Sequence, residues 1–274
     1  MQQCGEVVLE FLRCPLCGAS LVFLDKGKLQ CTKCGHIYSI GDDGIIDMLP
    51  DSLVFGRDRQ WMRWYDENAG QYYRLFHRII PIFTLGLETR ARRKWAKLLE
   101  LRKGDKVLDV ATGTGKNLPL LRKTVGKNGL VVGVDISISM LRYARRIAKK
   151  YQNVVLIRAN ASYLPLKDSY FDGVFHVGGI NTFEMQELAI REMFRVARMG
   201  AKIVIVDEGL DPKLRNTKRG QKLLKQNALY SSLPPVDEIK KYSDYLRVEW
   251  GILLNKWLAF WPYYLVEARK TLEV

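Results

Sequence analysis

The segment Val107-Leu108-Asp109-Val110-Ala111-Thr112-Gly113-Thr114-Gly115 constrains this chain more than any other. The apolar pair before Asp109 reads as a buried strand. The two glycines read as a sharp turn, and a helix is expected from about Asn117. Glycine permits positive φ and lets a ligand approach the backbone closely. A strand, a Gly-rich loop and a helix in that order form a nucleotide-binding device, because the loop and the helix N-terminus present free N–H groups. Two versions of the device fail on residue identity. A dinucleotide loop, G-x-G-x-x-G, would need glycine where Leu118 stands. A P-loop would need glycine at Val110 and Ser or Thr at Asn117. An ordinary tight βα turn satisfies the same pattern, so the segment by itself leaves the ligand open.

The surrounding pattern is that of a parallel sheet covered on both faces. Strands are expected at 106–110, 130–134, 154–158, 171–177 and 201–206, with helices at 117–126, 137–151, 185–198 and a short piece near 162–165. Residues 245–254 and 260–269 read as two strands in close succession. Gly251 to Ala268 is therefore not expected to span a membrane, and Asn255, Lys256 and Pro262 interrupt it. The run Val131-Val132-Gly133-Val134-Asp135 is a second apolar strand ending in an acid. A carboxylate there can accept both ribose hydroxyls, which fits NAD as well as other nucleosides. Ser137 is a plausible N-cap for the next helix.

Cys14-x2-Cys17 and Cys31-x2-Cys34 have metal-ligand spacing. Gly18 and Gly35 permit the turns that aim N–H groups at thiolate sulfur. Four thiolates saturate tetrahedral zinc, so a structural site in a small ribbon is expected, with no open position for chemistry. Iron in a rubredoxin-like site is the alternative. Such a module has too little core to fold without metal. Cys4 lies outside the spacing, and His36 is not needed as a ligand. The first residues show no signal peptide, and free thiolates suit a reducing compartment, so a cytoplasmic location is expected.

Net charge is +15, unevenly placed: residues 1–50 hold four Lys/Arg against six Asp/Glu, so the positive excess lies beyond them. Such a field favours anionic partners, including an anionic surface met by the basic helices. A solvated lysine-rich surface explains the same charge. Residues 57–83 are aromatic and basic, with Trp61, Trp64, Tyr65 and Tyr72 at helical spacing. They form either a core-packing helix ended by Pro81 or a lid over a site. A basic helix over Glu88–Leu101 comes next, with Arg90, Arg92, Arg93, Lys94 and Lys97 expected on its outer faces. A polar helical insertion is expected between Asp211 and Ser232.

Several motifs in order resemble the class I S-adenosylmethionine-dependent methyltransferases. Asp109 to Gly115 is similar to their motif I. Asn160-Ala161-Ser162-Tyr163-Leu164-Pro165-Leu166 is similar to "D-A-x-x-L-P-F", with Asn160 where Asp is common. Phe171-Asp172-Gly173-Val174 is similar to "F-D-x-V", and Arg195-Val196-Ala197-Arg198-Met199-Gly200-Ala201 to "R-V-L-K-P-G-G". The Tyr65-Asp66 helix, with the basic helix between it and Val107, resembles the ubiquinone/menaquinone C-methyltransferase branch. The cysteine module resembles the ribbon of ribosomal-RNA guanine-N1 methyltransferases.

The resemblance implies an α/β, Rossmann-like class I fold with a seven-stranded, mostly parallel sheet plus a small N-terminal zinc ribbon. It divides the chain into a zinc ribbon (1–50), a helical lid or linker (51–104) and an S-adenosylmethionine-binding methyltransferase domain (105–274). It implies S-adenosylmethionine and structural zinc as cofactors, the zinc on Cys14, Cys17, Cys31 and Cys34. Asp109, Gly113 and Gly115 would hold the methionine end, Asp135 the ribose and Asn160 with Ala161 the adenine. Ala111, Asn117, Ile136, Met140, Ser162, His176 and Val177 would also bind the cofactor. The loop His176-Val177-Gly178-Gly179-Ile180-Asn181 would face the methyl group. His176 is a possible general base, although a structural histidine fits the position too, and Tyr65 and Tyr72 are substrate-side candidates.

The acceptor is only partly constrained. No Asn/Asp-Pro-Pro-Tyr run occurs, and no cysteine lies beyond residue 34, which removes a thiolate route to pyrimidine carbon-5. A small apolar, quinone- or lipid-like molecule is favoured over an rRNA or tRNA base. A non-catalytic protein of this fold with a docking ribbon is the remaining reading. Oligomeric state is not readable.

Overall fold

The computed structural model describes residues 8–254 and 260–274; Cys4 lies outside the described residues. Among the described residues, eleven strands form one sheet: β1 (Leu21–Asp25), β2 (Lys28–Cys31), β3 (Ile37–Ile40), β4 (Ile46–Asp47), β5 (Lys106–Val110), β6 (Leu130–Asp135), β7 (Val154–Arg158), β8 (Phe171–Val177), β9 (Ala197–Glu208), β10 (Tyr245–Leu254) and β11 (Phe260–Arg269). Their spatial order is β1-β2-β3-β4-β7-β6-β5-β8-β9-β11-β10. Strands β5 to β9 are parallel, and the β10–β11 hairpin closes the sheet antiparallel against β9. The chain leaves β5 in one direction and returns to β8 on its other side. That reversal opens a crevice at the strands' carboxyl ends, where α/β sheets bind ligands.

The central strands are apolar along both faces because both are covered. Val107, Val131 and Leu156 pack with Leu121 and Leu141 on one face. Leu108, Val132 and Ile157 pack with Ile190 and Phe194 on the other. The covering helices are α1 (Gly56–Arg74), α2 (Ile80–Phe83), α3 (Leu87–Lys97), α4 (Leu118–Val125), α5 (Ile138–Ala148) and α6 (Gln186–Val196). Beyond β9 lie α7 (Pro212–Arg215), α8 (Lys218–Gln226) and α9 (Val236–Lys240). Pro81 does not end the aromatic helix as expected. The chain passes from α1 through a π-helical turn at Leu75–Ile79 into α2, and Pro81 lacks the N–H that would continue this ladder to the Phe76 carbonyl, which accepts Lys116 Nζ–H at 2.6 Å.

The seven strands expected of the large domain are present, and the ribbon adds four more to the same sheet. Its last strand, β4, pairs parallel with β7, Ile46 opposite Ile157 and Asp47 opposite Arg158. Met48 N–H continues the ladder to the Arg158 carbonyl at 2.9 Å, and Arg158 Nη1 meets Asp47 Oδ2 at 2.9 Å. Without β4, strand β7 would present an open edge with unpaired backbone groups. Phe11, Leu12, Leu29 and Met48 share one buried cluster with Val110, Val134 and Leu166. Among the described residues, no helix is long and apolar enough to cross a membrane.

Because this core is continuous, truncating a buried ribbon-side aromatic should destabilise the whole molecule. Phe11 is fully buried, with Tyr170 at 5.6 Å between ring centroids. Phe11→Ala is expected to cost about 3–5 kcal/mol in denaturant unfolding. The transition should shift as a single step by both far-UV circular dichroism and tryptophan fluorescence. Loss of the ribbon alone, with the tryptophan transition unmoved, would contradict the shared core.

Candidate functional site

The loop after β5 is shaped from below. Asp109 is fully buried; its carboxylate accepts Thr112 Oγ1–H at 2.6 Å and Asn117 Nδ2–H at 2.9 Å. Ala111, Gly113 and Gly115 all have positive φ, which curls the loop over this carboxylate. A Cβ on Gly115 would lie 3.0 Å from Ala144, so that glycine lets α4 pack against α5. Asp109 and Gly115 therefore build the loop without lining the pocket above it, whereas Ala111, Gly113 and Asn117 do line it.

Asp135, at the end of β6, receives Gly113 N–H at 2.7 Å and Ser137 N–H at 2.9 Å on separate oxygens. Each oxygen keeps a lone pair, enough to accept two vicinal hydroxyls. Burial raises both Asp109 and Asp135 to a pKa of about 6. Ile136, Met140, Asn160, Ala161 and Val177 complete this side of the pocket. Asn160 Oδ1 accepts the Ser162 N–H, and its amide donates to the Leu53 carbonyl at 2.9 Å and to Asp58 Oδ2 at 2.8 Å. Ser162 is outside the lining; its hydroxyl donates to the Met185 carbonyl.

The structure places His176 behind the wall of the pocket. It is fully buried, Nδ1–H donates to the Val110 carbonyl at 3.0 Å, and Nε2 accepts Ile180 N–H at 3.1 Å. Both ring nitrogens are committed in one neutral tautomer, and burial lowers the pKa to about 4. In this arrangement His176 positions the β8 loop and offers no nitrogen to a substrate. Tyr65 and Tyr72, in contrast, line the pocket from α1, with ring centroids 5.8 Å apart. Burial raises both phenols, so they stay protonated at neutral pH.

Helix α1 is a cover pinned at several points. Buried Asp58 accepts Asn160 Nδ2–H and Glu184 N–H. Asp66 accepts Ser137 Oγ–H at 2.6 Å and Ser139 N–H at 3.0 Å at the start of α5, where Ser137 accepts Met140 N–H. Arg92, expected on an outer face of α3, is buried and points inward. It bonds Glu88 Oε1 and Asn117 Oδ1, each at 2.7 Å. Lys116 pairs with the same Glu88 and donates to the Phe76 carbonyl. Burial alone would raise Glu88, but the two cations outweigh it and lower its pKa.

Sequence reasoning missed Asp58, Arg92, Lys116, Glu208 and Trp261, all of which line the pocket. The i,i+4 spacing of Glu88 and Arg92 beside Trp95 was the available signal for an inward arginine. Nothing local marks Asp58 or Glu208.

The donor set fits S-adenosylmethionine chemically: a carboxylate for hydroxyls, apolar side chains for a flat base and two cations for a carboxylate. Gly178 lines the pocket, and a Cβ there would meet nothing within 4 Å, so the backbone leaves open space. The ribbon fits zinc. The four cysteine sulfurs lie within 4.8 Å of one another, with Cys14–Cys34 at 3.7 Å and Cys17–Cys31 at 3.4 Å. Tetrahedral Zn–S bonds place sulfurs about 3.8 Å apart. The Lys33 and Cys34 N–H groups point at Cys31 sulfur, and the Tyr38 hydroxyl donates to Cys14 at 3.0 Å, the kind of support that orients thiolate ligands.

Comparison with known proteins agrees with this geometry. Residues 101–251, more than half of the chain, match the family described as "Methyltransferase domain", and residues 7–43 match "Trm112p-like protein". A ubiquinone/menaquinone biosynthesis C-methyltransferase of Photorhabdus laumondii is 31% identical over 152 residues, covering 52% of this chain and 61% of the relative. A demethylmenaquinone methyltransferase of Listeria welshimeri is 32% identical over 134 residues, covering 48% and 57%. The chain thus spans about three-fifths of the length of these relatives. A solved SAM-dependent methyltransferase of Thermotoga maritima, described as a possible histamine N-methyltransferase, superposes with a TM-score of 0.54. It is 20% identical and covers 76% of this chain and 99% of its own, a likeness of fold.

The buried imidazole gives a direct test of the wall. Its pKa is depressed, so protonation costs stability progressively as pH falls from about 6.5 toward 4. Nitrogen-15 NMR is expected to show His176 as a fixed neutral tautomer from pH 8 down to pH ~5. A titration near pH 6.5 would contradict the committed ring.

Proposed function

The chain belongs to the Methyltransferase domain family, and from that premise we propose that it transfers a methyl group to a small apolar, quinone- or lipid-like acceptor. The observation that carries the acceptor class is the aromatic side of the pocket: Tyr65, Tyr72, Phe76, Phe183 and Trp261 converge there. The names of the curated relatives point the same way.

When bound, S-adenosylmethionine supplies a methyl group already activated on its sulfonium. The chain's part is binding, alignment and exclusion of water. Asp135 would accept the ribose hydroxyls, with Ile136 and Met140 against the base. The amide N–H groups of Asn160 are engaged and its Oδ1, already accepting Ser162 N–H, keeps one lone pair for the base; Asp58, beside it, would supply the carboxylate that the Asp-to-Asn difference removes. Arg92 and Lys116, held by Glu88, would receive the methionine carboxylate. Asp109 would act from beneath by holding the loop, and His176 by holding β8. Tyr65 and Tyr72 would contact the acceptor through protonated hydroxyls. Glu208, at the end of β9 and electrostatically coupled to both tyrosines, would take the proton of a hydroxylated acceptor. Residues 1–50 would serve as ribbon, 51–104 as cover and 105–274 as the cofactor domain.

Incubating the chain with methyl-tritiated S-adenosylmethionine and fractionated cell extract tests this assignment. Label is expected in the organic-solvent phase, with the amount insensitive to ribonuclease. Label precipitating with RNA would move the acceptor to a nucleic acid base, and no transfer to any fraction would sink the enzymatic reading.

A further inference from the structure

The segment joining α1 to α3 exposes more aliphatic surface than its covering role requires. Leu75, Ile79 and Ile82 follow helical spacing along the π-helical turn and α2. Ile82 is 72% exposed and Leu85 79%, with Leu75, Ile79 and Leu87 also exposed. Isolated exposed leucines are ordinary, but five within thirteen residues form a patch. This tip is built, not frayed. Thr84 Oγ1–H bonds the Ile80 carbonyl at 2.8 Å, Gly86 N–H the Pro81 carbonyl at 2.9 Å, and Leu87 N–H the Thr84 carbonyl at 2.9 Å. Leu85 is held at φ +49°, an unfavourable conformation for a leucine, with its side chain in water.

The charge around the tip has one sign. Between Gln71 and Leu99 there are seven Lys/Arg and a single acid, Glu88, which is buried against Arg92 and Lys116. Arg74, Arg78, Arg90, Arg93 and Lys94 are exposed. Arg78 directly precedes Ile79, and Arg90 follows Leu87 by about one turn. On the inward side of the same helical segment, Tyr72 and Phe76 line the pocket.

We propose that the Leu75–Leu87 tip is a docking surface for an anionic lipid bilayer. The aliphatic side chains would enter the headgroup–acyl boundary, and the flanking guanidinium and ammonium groups would meet anionic headgroups. Charge complementarity favours this occupant. A neutral protein groove would leave the exposed cations unmatched, and a nucleic acid would leave Ile82 and Leu85 unmatched. The pocket then opens beside the phase in which an apolar acceptor is dissolved. The surface itself stands independently of the methyl-transfer reading.

The test is co-sedimentation of the full zinc-loaded chain with vesicles of mixed phosphatidylglycerol and phosphatidylcholine, compared with phosphatidylcholine alone. The chain is expected to pellet with the anionic vesicles and far less with the neutral ones. I82S/L85N and, separately, R74Q/R78Q/R90Q should each weaken binding by ~tenfold or more. Both variants should keep wild-type circular dichroism, zinc content and S-adenosylmethionine affinity, which separates failure of the surface from failure of the cofactor reading. If I82S/L85N does not fold, the arginine variant decides. A wild-type chain that stays in the supernatant overturns the proposal. So does I82S/L85N binding as tightly as wild type, or binding to RNA that the arginine variant loses and vesicles do not compete for.

Discussion

A carboxylate without access to water organises this site. Asp109 ends the central strand and holds the hydroxyl of Thr112 and the amide of Asn117, and the loop between them can curl only because Gly113 and Gly115 accept positive φ. That curl turns Gly113 N–H toward Asp135, the pocket's own carboxylate. Desolvation makes both acids reluctant to ionise, with pKa values of about 6. The folded, ligand-free chain therefore holds protons that the unfolded chain has lost. These two groups erode stability as pH rises from about 4 to 6, and a cation bound beside them offsets that cost.

The second organising element is α1, which the sheet cannot position by itself. Its place is set by polar ties from two acids, Asp58 to the Asn160 turn and Asp66 to the start of α5. These bonds bring aromatic side chains over the pocket while their neighbours Trp64 and Leu75 remain in solvent. The ribbon contributes from the opposite end. By pairing β4 with β7 it fixes Arg158, whose guanidinium also bonds the Ile136 carbonyl at the pocket wall. Zinc ligation, sheet edge and cofactor wall are thereby parts of one hydrogen-bonded structure.

The parallel strands and the two cysteine pairs were legible because their signals are local: apolar runs, a glycine turn and a fixed C-x2-C spacing. The β4–β7 pairing was not, since two residues of strand carry no register information of their own. Arg92 was misplaced on the outer face of α3 because composition cannot say which way one arginine among several points; its buried partners Glu88 and Asn117 decide that. Asp58 and Glu208 are invisible for the same reason, as their roles depend on residues more than a hundred positions away. His176 was found by position, yet which way its nitrogens face depends on the Val110 carbonyl and the Ile180 amide, contacts that only the fold creates.

Calorimetric titration of the full chain with S-adenosylmethionine across pH tests the central claim most directly. One site per chain is expected, with affinity constant above pH ~7 and falling below pH ~6 by up to about a hundredfold per unit as Asp109 and Asp135 both take up protons. Absence of binding at any pH, or an affinity unchanged from pH ~7.5 to ~5, would contradict a pocket organised around those two carboxylates.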